Sequence, residues 1–359
     1  MLVPKYTFAL LCLSGSLVHA QLHTTEHAQK KALPDTGQSI HYTKTFGEDS
    51  DYTGHKPNLI DNQDGTVSDQ VTGLMWQKTD GGEMTWDKAK KYAQDCRLGG
   101  HSDWRLPTSI ELFTIMDHGK HGPAMDTEYF PKTEARYWWS NATRADDLSK
   151  VWVVNTGGGI GAHAASETIS AGGDRPIHVR CVRGDNNLGS GPRLKDNGDG
   201  TILDTRTGLI WLQLPSERKM TWEESLKYCV ELRVNDHKDW RLPNIKELRS
   251  LSDDQIIRPS IDRKFFPKVG SDLFWSSTTQ SNRPERAWYM DFSTGLVTYS
   301  DKSDALYVLA LRDGNALAGS REKPELDKSQ LEKIRQGDQR RKGGGGGQKR
   351  NGAIPKDLE

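Results

Sequence analysis

The residues best suited to chemistry in this chain are cationic side chains gathered in two groups of polar segments. Lys120, His121, Arg136, Arg144, His163 and Arg175 make up the first group, and Arg258, Arg263, Lys264, Lys268, Arg283 and Arg286 the second. A guanidinium is a planar fork of donors that engages two oxygens at once, so these segments suit sulfate groups on a ligand. Trp138 is the aromatic placed to stack on a sugar ring. In an alternating strand it points away from the side that Trp139 faces, and its counterpart in the second group is Phe274.

Words that look like metal or catalytic sites lack the surroundings such sites need. His23-Thr-Thr-Glu-His27 matches a zinc-protease word, but it lies in a polar stretch with no apolar helical face to carry it. His118-Gly-Lys-His121 has no third metal ligand and reads as an exposed loop able to touch anions. Asp61, Asn62 and Asp64, like Asp196, Asn197 and Asp199, offer hard oxygens for calcium. Their spacing departs from the Asp-x-Asp-x-Asp-Gly loop and no bidentate Glu follows, so turn chemistry is the better reading. No nucleophile elbow, phosphate loop or oxidase cysteine pair occurs. The expectation is a binding protein with no catalytic residue, metal or cofactor. Arg105 and Arg241, each set between a Trp and a Leu-Pro pair, are expected near the core in ion pairs with Glu111 and Glu247, because an unpaired buried guanidinium is costly.

What must position these residues shows as a duplication. Residues 61–76 return as 196–211, Met84-Thr-Trp86 as Met220-Thr-Trp222, Asp103-Trp-Arg-Leu-Pro107 as Asp239-Trp-Arg-Leu-Pro243, Trp139-Ser140 as Trp275-Ser276, and Trp152 as Trp288. The offset is 135 residues at the first word and 136 afterwards. Solenoid and propeller units repeat at roughly 20 to 50 residues, so this period means two tandem copies of one domain. The paired tryptophans are expected in the core, since each buries on the order of 200 Å².

Within a copy, Asn-Gln-Asp-Gly or Asn-Gly-Asp-Gly followed by an alternating run predicts a small hairpin. Trp222, Leu226, Cys229 and Leu232 recur at helical spacing behind the capping box Thr221 and Glu224, as do Trp86, Ala89, Tyr92, Ala93 and Cys96 in copy one. Thr108 and Asn244 are N-caps of a second helix. Short β runs follow at 137–140, 151–154 and 178–183, matched by 273–276, 287–290 and 307–312. Helices grouped apart from strands predict the α+β class, with a small, largely antiparallel sheet in each domain. Copy one has seven extra residues, which fall in a Gly/Ala-rich loop at 156–174.

Residues 1–20 read as a secretory signal, with basic Lys5 and an apolar run too short to span a bilayer. Residues 21–56 read as a polar leader, 57–187 and 192–315 as the two domains, and 316–359 as a basic Gly-rich tail expected to stay disordered. Each domain, at about 125 residues, is of a size that buries its own core. Over the whole chain 49 basic residues balance 49 acidic ones, so charge indicates no nucleic-acid partner. In an oxidising compartment Cys96 and Cys181 are expected to form a disulfide, closing a loop of about 85 residues and contributing roughly 4 to 5 kcal/mol. Cys229 has no partner in its copy and reads as a small buried apolar residue. Asn141-Ala-Thr143 is a glycosylation acceptor word.

The words Asp-Gly-Thr, Thr-Gly-Leu-Met-Trp, Asp-Trp-Arg-Leu-Pro-Thr, Trp-Trp-Ser and Arg-Cys-Val-Arg resemble the domain family named for the C-terminal domain of the Lcl collagen-like adhesin, over residues 58–184 and 193–313. The resemblance implies a secreted or surface protein similar to adhesins that bind sulfated glycans. It also implies a fold related to C-type lectins and formylglycine-generating enzymes, so the expected architecture is two tandem C-type-lectin-like domains. The leading expectation is a non-catalytic glycan-binding protein, sulfated polysaccharide included among its partners. An enzyme on a formylglycine-generating-type scaffold and a structural cell-envelope interaction module are the alternatives. A shared fold does not by itself carry a function.

Overall fold

The computed structural model describes residues 32–131, 134–169, 176–185 and 193–314. The signal, the His23 to His27 word, Arg175 and the basic tail lie outside them. In repeat one, β1 (Leu59–Asp61), β2 (Thr66–Asp69) and β3 (Met75–Gln77) precede α1 (Trp86–Asp95) and α2 (Ser109–Thr114); β4 (Tyr137–Thr143), β5 (Lys150–Asn155), β6 (Ile160–Ala164), β7 (Ile177–His178) and β8 (Val182–Arg183) follow. Repeat two has β9 (Leu194–Asp196), β10 (Thr201–Asp204), β11 (Leu209–Leu212), α3 (Trp222–Glu231), α4 (Ile245–Ser250), β12 (Leu273–Thr279), β13 (Arg286–Asp291), β14 (Leu296–Asp301) and β15 (Leu311–Asp313).

Local chemistry accounts for where the helices begin. Thr108, Thr221 and Asn244 each accept from the backbone N–H three residues on, while Glu111, Glu224 and Glu247 reach back to the cap. The Asp-Gly turns close through their own side chains: Asp64 accepts from Thr66 and Asp199 from Thr201 through both backbone N–H and hydroxyl. Asp61 also pairs with Lys78 at 2.6 Å.

The α+β, C-type-lectin-like expectation is overturned. Among the described residues the four α-helices have only ten, six, ten and six residues, and the strands form three sheets, so the architecture is closer to all-β. Each hairpin makes a four-stranded sheet with the last strand of its own repeat, in the orders β1-β2-β3-β8 and β15-β11-β10-β9. The third sheet belongs to both repeats: seven strands run β12-β13-β14-β6-β5-β4-β7, antiparallel except for β4 with β7. Its central seam is a single pairing, Ile160 opposite Val297. Ile160 also faces Val154, and Val297 faces Met290, so the two seam residues hold equivalent positions in their repeats. Antiparallel pairing of equivalents relates the repeats by an approximate two-fold axis. The seam escaped the sequence reading because β6 lies in the segment taken for a Gly/Ala-rich loop, where Gly161, Ala162 and Ala164 give little β signal.

The shared sheet is covered on both faces. One apolar cluster draws on both repeats, with Trp76, Trp138, Trp152, Trp211, Phe274 and Trp288 among its members. On the other side each repeat keeps a smaller cluster, around Trp104 and Trp139 in one and around Trp222, Trp240 and Trp275 in the other.

The leader is part of this body from residue 32 onward. Gln38 donates to the carbonyls of His118 and Thr279 and accepts from the Thr279 N–H, tying both repeats together. Glu48 accepts from the Tyr42 and Thr43 N–H groups, Asp51 accepts from Gly47 and Glu48, and His41 lies 3.4 and 3.3 Å from the two carboxylates. Asp49 accepts from Thr36 and from Thr278 of β12. Lys246 of α4, almost fully buried, donates to the carbonyls of Asp35 in the leader and Thr114 in repeat one. Polarity in a segment therefore did not mean exposure: its polar groups satisfy one another inside.

Candidate functional site

The seam between repeats leaves a cleft of about 210 Å³. Trp288 of β13 and Tyr299 of β14 come from repeat two, their rings edge to face at 5.6 Å. Gln280 and Asn282, in the loop after β12, line it as well. Repeat one contributes His121 and Gly122, Arg136 and Tyr137 at the start of β4, and Asn155 to Gly157 at the β5–β6 turn. The pieces are held by short local bonds. Asn155 Oδ1 accepts from the Gly157 and Gly159 N–H groups, and Gln280 receives the Arg283 N–H on its carbonyl. Behind the cleft, His118 packs edge-on to Trp288 at 5.3 Å and bonds the Gly158 carbonyl at 3.0 Å. Burial, with the nearby Lys246 ammonium, pushes the His118 pKa down to about 3, so the imidazole is neutral and structural.

Gln280 Oε1 has no hydrogen-bond partner, although the residue is only 8% exposed and lines the cleft. A buried acceptor left unpaired costs about 1–3 kcal/mol. Arg136 is exposed at the rim, and among the described residues it has no carboxylate partner. The arrangement offers a neutral amide and aromatic lining and a cationic edge.

A family model described as the Lcl C-terminal domain matches residues 65–183 and again 200–312. The chain belongs to the Lcl C-terminal domain family. Membership covers both repeats and suggests an extracellular, adhesin-like module. No curated protein matches the chain. No helix among the described residues of this tandem Lcl C-terminal domain protein is long and apolar enough to cross a membrane.

The structure brings only part of the expected set together. His121 and Arg136 line the cleft, and Arg283 follows directly on Asn282. Lys120 is exposed beside it but held by Asp117 and Asp126 at 3.2 and 3.4 Å, and its carbonyl accepts from Ser281 of repeat two. Arg263, Lys264 and Lys268 are exposed on a separate stretch after α4. Arg286 pairs with Asp301 at 2.9 Å and sits over Tyr299 at 5.3 Å. Arg144 forms a two-bond pair with Asp146, which Arg258 also approaches at 3.8 Å.

Four expectations are corrected. Trp138 is 2% exposed and cannot be a surface platform: β4 has cores on both faces, so alternation buries Trp138 and Trp139 alike. Its indole N–H reaches Asp80 and the Arg180 guanidinium lies 5.5 Å from its ring. His163 is buried on β6, bonded to Glu167 and edge-on to Tyr137, rather than in a loop. His118 is buried as well. Cys96 and Cys181 are neighbours in the core of repeat one but stand as free thiols, not a disulfide, and burial pushes the Cys181 thiol up. Cys229 is fully buried with its thiol likewise pushed up by desolvation.

The residues missed were Gln280, Asn282, Asn155 and Tyr299, all polar or aromatic positions without a recognisable word. The signal available for them was a difference between aligned repeats. Gln280 aligns with Arg144, Asn282 with Asp146 and Asn155 with Asp291, each 136 residues apart.

Proposed function

We propose that this protein is a secreted or cell-surface adhesin-type protein that binds glycans, acidic ones foremost, in the cleft between its repeats, and that it carries no catalytic activity. A cleft between the repeats with an aromatic wall, amide lining and an arginine rim is the observation that carries the reading. A sugar hydroxyl can bond the amide residues Gln280, Asn282 and Asn155 that line the cleft, the Tyr299 ring offers apolar surface to the C–H side of a pyranose, and Arg136 suits a sulfate or carboxylate substituent. The cleft is smaller than the roughly 300–1,000 Å³ that encloses a drug-sized ligand, which fits one residue of a chain that continues into solvent. Family membership supports the adhesin-like setting. Against an enzyme stands the burial of all three described thiols, which leaves no accessible thiolate.

A glycan array probed with the full chain, followed by calorimetric titration of a sulfated disaccharide, tests the reading. Gln280→Met and Tyr299→Ala should each weaken binding at least about 10-fold, or 1.4 kcal/mol, and Arg136→Ala should also reduce its salt dependence. Array silence at low salt, or affinities indifferent to all three substitutions, would defeat it.

A further inference from the structure

The approximate two-fold axis at the Ile160–Val297 pair implies that every feature at the seam has a twin on the other side. The twin of Trp288 is Trp152, and the backbone around the two is built alike. Gln280 N–H donates to the Arg286 carbonyl at 3.0 Å, as Arg144 N–H does to Lys150 at 2.9 Å. The Ala124 N–H donates to Thr156 at 2.6 Å, as Ser260 N–H does to Phe292 at 2.7 Å. The scaffold of the cleft is therefore present twice, and its side chains are not.

At the twin position the chain's own groups lie over the indole. The Arg144 guanidinium is 6.0 Å from the Trp152 ring and donates two bonds, at 2.9 and 2.7 Å, to Asp146. Those two side chains are only 17% and 16% exposed. Arg258 reaches the same carboxylate from the equivalent of Gly122, a position with no side chain to extend at the open cleft. The substitutions form a consistent set. Arg144, Asp146 and Arg258 on one side stand where Gln280, Asn282 and Gly122 stand on the other. The strand registers add Ala162, opposite Trp152, where Tyr299 is opposite Trp288.

We propose that the seam carries two equivalent backbone positions, of which one is open to a saccharide and the other is filled by Arg144 and clamped by Asp146 and Arg258, so that each chain offers a single seam site. The inference rests on the glycan reading above for its ligand, but the sealing itself is a property of these three residues. A carboxylate between two guanidinium groups under partial burial holds its geometry better than an exposed ion pair does. The amides at the open cleft offer no such clamp.

The test exchanges those positions in the full chain. Arg144→Gln, Asp146→Asn and Arg258→Gly together should open the twin, and Gln280→Arg, Asn282→Asp and Gly122→Arg together should seal the cleft. A sulfated disaccharide is titrated calorimetrically into parent and both variants; any binding by the basic tail is common to all three and cancels. The expected result is the loss of one equivalent in the second variant; the first, whose twin has Ala162 and Asp272 where the open cleft has Tyr299 and Arg136, should open without gaining an equivalent. A parent whose seam equivalent survives Tyr299→Ala overturns the glycan reading. A parent that binds through Tyr299, with a second variant that still binds the same equivalent, overturns the sealing inference alone. A third measurement does not need the ligand. With 5-fluorotryptophan incorporated, a soluble gadolinium chelate should broaden the Trp152 resonance at least about 3-fold more in the opened variant than in the parent, and equal broadening would overturn the sealing directly. If the triple variant does not fold, Arg258→Gly alone, at an exposed side chain, should still increase Trp152 broadening.

Discussion

The same word builds an ion pair in both repeats, but the pairs stand in different surroundings. Arg105 binds Glu111 with its side chain 37% exposed, whereas Arg241 binds Glu247 while only 9% exposed and adds Asp313 at 3.0 Å. The difference comes from outside the duplicated sequence. Tyr52 of the leader lies 5.3 Å from the Arg241 guanidinium, Thr43 and Thr45 donate to Glu223 of α3, and Gly47 runs against Leu226 and Val230. Gly47 has φ +116°, and a Cβ there would come within 3.3 Å of Val230, so the close pass of the leader over α3 depends on that glycine. On α1 of repeat one, Asp87 at the position of Glu223 pairs with Lys90 and has a side chain 84% exposed. Two copies of one sequence thus stand in different surroundings because the leader covers the Arg241 pair and α3 and not the Arg105 pair and α1.

The sharpest way to break this comparison is to remove the arginine from each pair. Each substitution strands a buried carboxylate, but only Arg241 is itself buried and also holds Asp313, so Arg241→Met should cost about 3–5 kcal/mol and Arg105→Met about 1–2 kcal/mol less. Equal losses in urea unfolding of the two variants would show that the leader does not distinguish the repeats. A comparable contrast is expected for the paired indoles. Trp222 is fully buried, with Lys302 at 3.7 Å from its ring, and Trp86 is half-buried under Lys90 at 3.8 Å; both donate to the backbone of the strand beneath. Trp222→Phe should therefore destabilise by about 1–2 kcal/mol more than Trp86→Phe, judged by the same unfolding midpoints.

The smallest effect concerns pH at the leader contact. Burial, together with the neighbouring Asp35 charge, raises the Asp49 pKa from 3.8 to about 8, and the Thr278 and Thr36 hydroxyls only partly oppose this. A folded pKa above the unfolded one means that Asp49 contributes stability in acid and that the contribution is lost as pH rises from 3.8 toward about 8. Asp49→Asn, neutral at every pH, should leave Tm unchanged near pH 4 and raise it near pH 8 by roughly 2 to 4 °C, the equivalent of about 1 kcal/mol. A Tm difference that is flat across that window would remove Asp49 as a titrating contact between leader and repeat two.

Much of each repeat was legible in the chain. The capping boxes, the Asp-Gly turns, the Arg-Glu pairs and the burial of the paired tryptophans follow from local spacing, because each depends on residues close in sequence or on the plain size of an indole. The cleft was half legible. His121 and Arg136 could be named as exposed cations near an aromatic strand, but Trp138 was chosen as the aromatic because alternation assumes one solvated face, and β4 has none. Tyr299 and Gln280 could not be chosen, since their partners lie on the other repeat.

The sequence alone determined that there are two copies of one unit, where their turns and helix starts fall, and which family they belong to. The tertiary structure decided that the copies share a seven-stranded sheet, that the polar leader is interior to repeat two, that the class is closer to all-β, and that one seam position is open while its twin is filled. The reason is range. Caps, turns and ion pairs six residues apart are fixed by neighbours along the chain, whereas strand edges and clefts are completed by groups more than a hundred residues away, on which no local spacing reports.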